Sequence, residues 1–154
     1  MEIVNIISPA DVVSGLRANS KKQALQEIAR RIAENHDLPE RTVFDVLLER
    51  ERLGATGVGR GVAIPHGKTD KATRIVGAFA RMAAPIDFDA IDEQPVDLLF
   101  VMIAPETAGA DHLKALASVS RTLRGAGLME KIRQAKDADA IFSLLIGGVA
   151  SDAA

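Results

Sequence analysis

The sequence predicts a three-layer α/β/α sandwich, with a mixed sheet flanked by helices. Three observations carry that prediction. The run Val96 to Ala104 is nearly all apolar and stops at Pro105, the pattern of a central strand covered on both faces. Apolar residues recur at three- and four-residue steps both well before and well after it, as in helices that bury one stripe. Shorter β-branched runs lie between them, so the element order mixes helices and strands around one very hydrophobic strand.

Each element has its own local reason. Ser8-Pro9-Ala10-Asp11 reads as a short helical start, with Ser8 as N-cap and Pro9 at the first helical position. Val12, Val13 and Leu16 then enter an edge strand that ends near Asn19. Ser20 caps a clear helix whose inner stripe is Ala24, Leu25, Ile28, Ala29 and Ile32. His36, in its last turn, is expected to have no partner. Pro39 begins a second helix with Val43, Phe44, Val46, Leu47 and Leu48 as its apolar side, and Gly54 is a fitting stop. Its final charged run, Glu49-Arg50-Glu51-Arg52, is by itself explained as a solvated face.

Ala55 to Gly61 is a glycine-rich loop that fits neither a Walker loop nor a dinucleotide fingerprint. Val62 to Ile64 is a short buried strand ended by Pro65, which sets His66 at a strand end. Arg74 to Met82 is another strand, and Pro85 to Phe88 a loop or edge piece. After Pro105, a loop from Thr107 leads to a helix from about Asp111 to Gly125, with Leu113, Leu116, Ala117, Val119, Ser120 and Leu123 inward. His112, in the first turn, has the plain reading of a polar residue facing water. Helices over Leu128 to Ala135 and Asp137 to Ile146 close the fold, and Gly147 to Ala154 is expected to fray.

Composition removes several function classes. The 154 residues fit one domain with a single core. The formal charge of −2 has no basic run beside it, and with five Phe and no Trp or Tyr a nucleic-acid partner is not expected. The absence of cysteine excludes disulfides, thiolate nucleophiles and cysteine-based metal sites. The first residues lack a basic segment followed by an apolar one, and no apolar run approaches a bilayer span, so a cytoplasmic protein without membrane insertion is expected.

The stretch Gly57 to Lys68 is the informative part of the chain. An imidazole at a strand end, next to Gly67 and between Arg60 and Lys68, is a plausible seat for a phosphoryl group. The plain alternative is a turn histidine without chemistry. A neutral imidazole is nucleophilic near pH 7. Phosphoryl transfer then asks mainly for positioning and charge neutralisation. The chain offers His66, the Gly67 and Lys68 backbone, Arg50, and His112 at a helix start. A helix N-terminus lowers a histidine pKa, while Asp111 acts the other way. Three scattered histidines make a poor metal site, no nucleophile-elbow sequence is present, and no spacing points to a carboxylate pair.

With Gly61-Val62-Ala63-Ile64-Pro65-His66-Gly67-Lys68 the chain resembles the IIA domains of the phosphoenolpyruvate-dependent phosphotransferase system, in the fructose–mannitol superfamily. Leu48-Glu49-Arg50-Glu51, Thr56-Gly57-Val58-Gly59, Pro85 to Phe88, Gln94 to Phe100 and Asp111-His112-Leu113 match in order, over about Ile6 to Ile146. The Thr56 to Gly59 start, Lys68 and the Phe88 to Asp97 stretch are similar to the nitrogen-regulatory branch, as is the stand-alone length.

The resemblance implies a single type-2 IIA domain over 1–154, with a mixed sheet between helices. It implies His66 as phosphoryl acceptor, His112 as a second histidine contacting the phosphoryl group, and Arg50 as the neutralising cation, with no cofactor and no metal. Arg60 departs from relatives that carry a neutral polar residue there. The implied donor is a histidine phosphocarrier of the nitrogen branch, itself charged by enzyme I. The implied targets are regulatory proteins, in potassium transport or as a sensor kinase. The alternative is a sugar-transport component that passes its phosphate to a IIB domain.

Overall fold

The computed structural model describes residues 2–153, without the side chains of residues 126 and 148–153. The described residues form six strands: β1 (Val12–Leu16), β2 (Gly57–Gly59), β3 (Val62–Ala63), β4 (His66–Thr69), β5 (Val76–Ile86) and β6 (Val96–Pro105). Five helices accompany them: α1 (Lys21–His36), α2 (Glu40–Leu53), α3 (Ala110–Leu123), α4 (Ala126–Gln134) and α5 (Ala138–Ala153). β6 is the central strand. β5 lies antiparallel on one side of it, with β1 parallel beyond. On the other side β3 and then β4 both run parallel to β6, and β2 closes that edge antiparallel to β3. The sheet is therefore mixed, as expected, and it is open.

The alternation of side chains along β6 divides the core into two layers. Leu99, Val101 and Ile103 face α1 and α2, together with Val76, Ala78 and Ala80 of β5. Leu98, Phe100, Met102 and Ala104 face the layer of α3, α4 and α5, with Phe79. Phe79 and Phe100 meet edge-on, ring centroids 6.4 Å apart. That geometry adds roughly 1 kcal/mol to the burial of the two rings.

Local chemistry fixes the ends of the elements. The Ser20 hydroxyl accepts from the Gln23 N–H and caps α1. The Asp137 carboxylate accepts from the Ala140 N–H at the start of α5. The glycine-rich loop holds a strand of its own, β2, turned into β3 by Arg60 and Gly61 at φ of 58° and 79°. Positive φ at both central residues is what a tight two-residue hairpin requires.

Several expectations need correction. His66 does not end a strand: it begins β4, which pairs with the same neighbour as β3. Pro85 and Ile86 belong to β5, since Ile86 regains its pairing with Val96 after an irregularity. α5 passes Ile146 and runs to Ala153. α3 is turned from the expected face, with His112, Ala115, Val119 and Leu123 inward and Leu113 67% exposed. Those four positions, spaced by three and four, form the narrower stripe that fits against the sheet.

His36 does have a partner. Its Nε2 lies 2.8 Å from Oδ1 of Asp11, a carboxylate with no exposure. The same carboxylate accepts from Asn35 Nδ2 and from the N–H and hydroxyl of Ser8. A buried carboxylate is tolerated only with such a full set of donors. The short turn Pro9–Asp11 is thereby fastened to the end of α1.

Candidate functional site

Pro65 separates two short strands that share one neighbour. It has no N–H to give, but its carbonyl accepts from the Met102 N–H at 3.0 Å, so β6 holds the chain at this point. His66 stands opposite Met102 in the ladder, and both therefore face the α3 layer. Gly67 points the other way, toward α2. A Cβ there would lie 2.2 Å from Cγ1 of Val46, so glycine is what lets β4 and α2 approach this closely. The exposed Lys68 returns to the His66 side of the strand.

α3 brings the second imidazole. His112 is buried, and its ring centroid is 5.7 Å from that of His66, the planes inclined by 46°. Arg50 comes from the last turn of α2, where its guanidinium donates to the Gly54 carbonyl at 2.8 Å. The structure thus brings together His66, His112, Arg50 and Lys68, drawn from α2, β4 and α3. Arg50 and Glu51 act on the His66 ring, and His66 and Lys68 on that of His112, while Arg60 meets Asp92 and Arg133 through its backbone.

The two rings differ in how their nitrogens are used. His66 Nδ1 is 2.6 Å from the Ile64 carbonyl oxygen. A carbonyl only accepts, so Nδ1 donates; in the neutral ring Nε2 then carries the lone pair. Burial lowers the His66 pKa, the Ile64 carbonyl opposes that, the Arg50 charge lowers it further and Glu51 opposes. The net shift is downward, which favours the neutral ring at pH 7. His112 is also lowered, by burial first and then by His66 and Lys68. Its Nδ1 is buried with no hydrogen-bond partner. An N–H sealed in this way is a rare and costly orphan, so the neutral ring places its proton on Nε2.

Glu51 is the residue that sequence reasoning missed. The charged run around it reads as a solvated face, yet only 3% of its side chain is exposed. Its carboxylate accepts from the Thr56 hydroxyl, from the Thr56 N–H and from Lys21 Nζ. The signal was present in the spacing: Val43, Leu47 and Glu51 follow one another by four, so the inward stripe of α2 ends on this carboxylate.

Residues 5–147 match the family described as phosphoenolpyruvate-dependent sugar phosphotransferase system, EIIA 2. A nitrogen regulatory protein of Bradyrhizobium diazoefficiens is 54% identical over 145 residues, covering 94% of this chain and 95% of that protein. One from Escherichia coli is 36% identical over 146 residues, covering 94% and 90%. The crystal structure of nitrogen regulatory protein IIA-Ntr from Neisseria meningitidis superposes with a TM-score of 0.88 at 33% identity, over 93% of this chain and 98% of that one. The mannitol IIA of Escherichia coli shares the fold, with a TM-score of 0.78 at 19% identity over 90% and 98% of the two chains. Sequence and fold agree that this chain belongs to the EIIA type-2 family of the phosphotransferase system, with nitrogen regulatory IIA proteins among its relatives.

Proposed function

We propose that this protein is a phosphoryl carrier of the nitrogen-regulatory type, which takes a phosphoryl group on Nε2 of His66 and signals through its phosphorylation state. The hydrogen bond from His66 Nδ1 to the Ile64 carbonyl carries this reading. It fixes the tautomer and leaves the other nitrogen as the nucleophile.

In the transfer, the N–P bond of a donor phosphohistidine breaks as the Nε2–P bond of His66 forms. The donor nitrogen keeps the electron pair of the broken bond. The Nδ1–H stays on the Ile64 carbonyl and spreads the positive charge that the phosphorylated ring takes on. His112 Nε2–H is the donor for the phosphoryl oxygens, and the Arg50 and Lys68 cations neutralise their charge.

The upstream partner is a histidine phosphocarrier of the nitrogen branch, charged by enzyme I in the cytoplasm. Downstream are regulatory proteins, of the potassium-transport or sensor-kinase kind, that distinguish the two states. Phosphorylation adds between one and two negative charges to a surface of fixed shape, enough to make or break an interface. Among the described residues, no helix is long and apolar enough to cross a membrane.

The test is incubation with phosphoenolpyruvate, enzyme I and the phosphocarrier. The expected product is an acid-labile, base-stable phosphate on His66, absent from His66→Ala. Label that persists in His66→Ala would reject the assignment. A fructose-specific EIIA component of Haloferax volcanii, 44% identical over 102 residues and 66% of each chain, keeps a transport reading in view. Rapid loss of label to an added sugar IIB protein would favour that reading over the regulatory one.

A further inference from the structure

We infer that Glu51 and Thr56 are positioning residues for His66, holding its imidazole through one hydrogen-bonded chain that starts at the buried Glu51 carboxylate. This rests on the proposed role of His66 as acceptor. The chain has four links. The Thr56 hydroxyl donates to Glu51 Oε1, and the Thr56 N–H to Oε2 at 3.4 Å. The Ile64 N–H donates to the Thr56 carbonyl at 3.0 Å. His66 Nδ1 donates to the Ile64 carbonyl at 2.6 Å. No residue in this chain before His66 touches the reacting nitrogen, yet together they decide where the ring stands and which nitrogen holds the proton.

The start of the chain is itself held fast. Lys21 Nζ is 3.1 Å from Glu51 Oε2 and 3.0 Å from Asp89 Oδ2. Glu51 therefore has both oxygens occupied, which a carboxylate this deeply buried requires. Arg50, its neighbour on α2, grips the Gly54 carbonyl at 2.8 Å, two residues before Thr56. Adjacent side chains of one helix end thus fasten the same loop at Gly54 and Thr56. One reaches the phosphoryl site by its charge, the other through Thr56 and Ile64.

The hydroxyl of Thr56 is the sensitive atom, because Thr56→Val keeps the shape and removes the donor. The expected result for Thr56→Val is a slower initial rate of phosphoryl acceptance, by roughly tenfold, from a ring held less tightly. The expected companion is a change in the ¹⁵N shifts of His66, from one dominant Nδ1–H tautomer toward a mixture. Thr56→Ser should restore both. Glu51→Gln keeps an acceptor for the hydroxyl and should lie between the parent and Thr56→Val. If Thr56→Val does not fold, the ¹⁵N shifts of Glu51→Gln decide, since a purely structural carboxylate would leave them at the parent values. Parent-like His66 shifts and rates in Thr56→Val or Glu51→Gln would overturn the inference. The shifts also separate it from the reading beneath it. If the parent takes no phosphate at His66 while the tautomer still responds to Thr56→Val, the chain stands and the acceptor assignment falls.

Discussion

Two histidines of the molecule, His36 half-buried and His112 buried, stand in opposite circumstances. At the end of α1, His36 meets the Asp11 carboxylate, which also takes donors from Ser8 and Asn35. Between β4 and α3, His112 is buried, but its Nδ1 has no partner and the ring beside it is another imidazole. Two side chains of the same type are thus used to different ends. The first closes a polar network and ties two segments of chain together. The second stands 5.7 Å from a ring whose Nε2 is left free. Protein interiors rarely leave polar atoms unmatched, so the unpartnered Nδ1 of His112 sets this end of the molecule apart.

That contrast can be broken by experiment. The largest expected effect is His112→Ala, which should slow phosphoryl acceptance by about a hundredfold while His66 is still labelled. His36→Ala should leave the rate near that of the parent. A reversal of these two results would mean the two histidines have been assigned to the wrong roles. Asp11→Ala should do the converse of His112→Ala. Removing a buried carboxylate from its donors should lower stability by about 3 kcal/mol in urea unfolding, with transfer chemistry retained in the folded fraction. Gly67→Ala tests the packing of β4 on α2 beside His66. It should cost about 2 kcal/mol, and Val46→Ala in the same chain should recover part of that.

The smallest effect is in pH. The folded pKa values of His66 and His112 lie below the ordinary value of 6.5. On acidification from pH 7 the unfolded chain takes up these protons first. Their contribution to stability is then fully present above about pH 6.5 and is lost as pH falls through the lower folded values. His66→Ala and His112→Ala should flatten the decline in melting temperature between pH 7 and 5. Slopes equal to that of the parent would show that burial does not hold these rings neutral.

Much of this was legible in the sequence, for reasons that can be named. The apolar run of β6, the Ser20 cap and the stripe of α1 are local signals, and the structure follows each of them. His66, His112 and Arg50 could be singled out because a short motif and its companions occurred in order, and the fold brings the three to one end of the sheet. The rest depended on contacts between distant residues. Asp11 and His36 are 25 positions apart, and nothing local to either shows that they meet. The face of α3 was read one residue out because Leu113 and Leu116 also make a stripe; the sheet beneath selects His112 and Ala115 instead. Glu51 was hidden for a different reason: three charged neighbours surround it, and charge pattern outweighed the four-residue step from Leu47.

The sharing of β6 by β3 and β4 has one more consequence. The chain is anchored on both sides of Pro65, so the His66 ring is carried by sheet and not by a loop. A scaffold pinned in this way has little room to answer a new charge by moving. On the proposed function, a partner that reads the phosphorylation state would sense electrostatic potential over an unchanged contour, and its discrimination should fade as salt is raised.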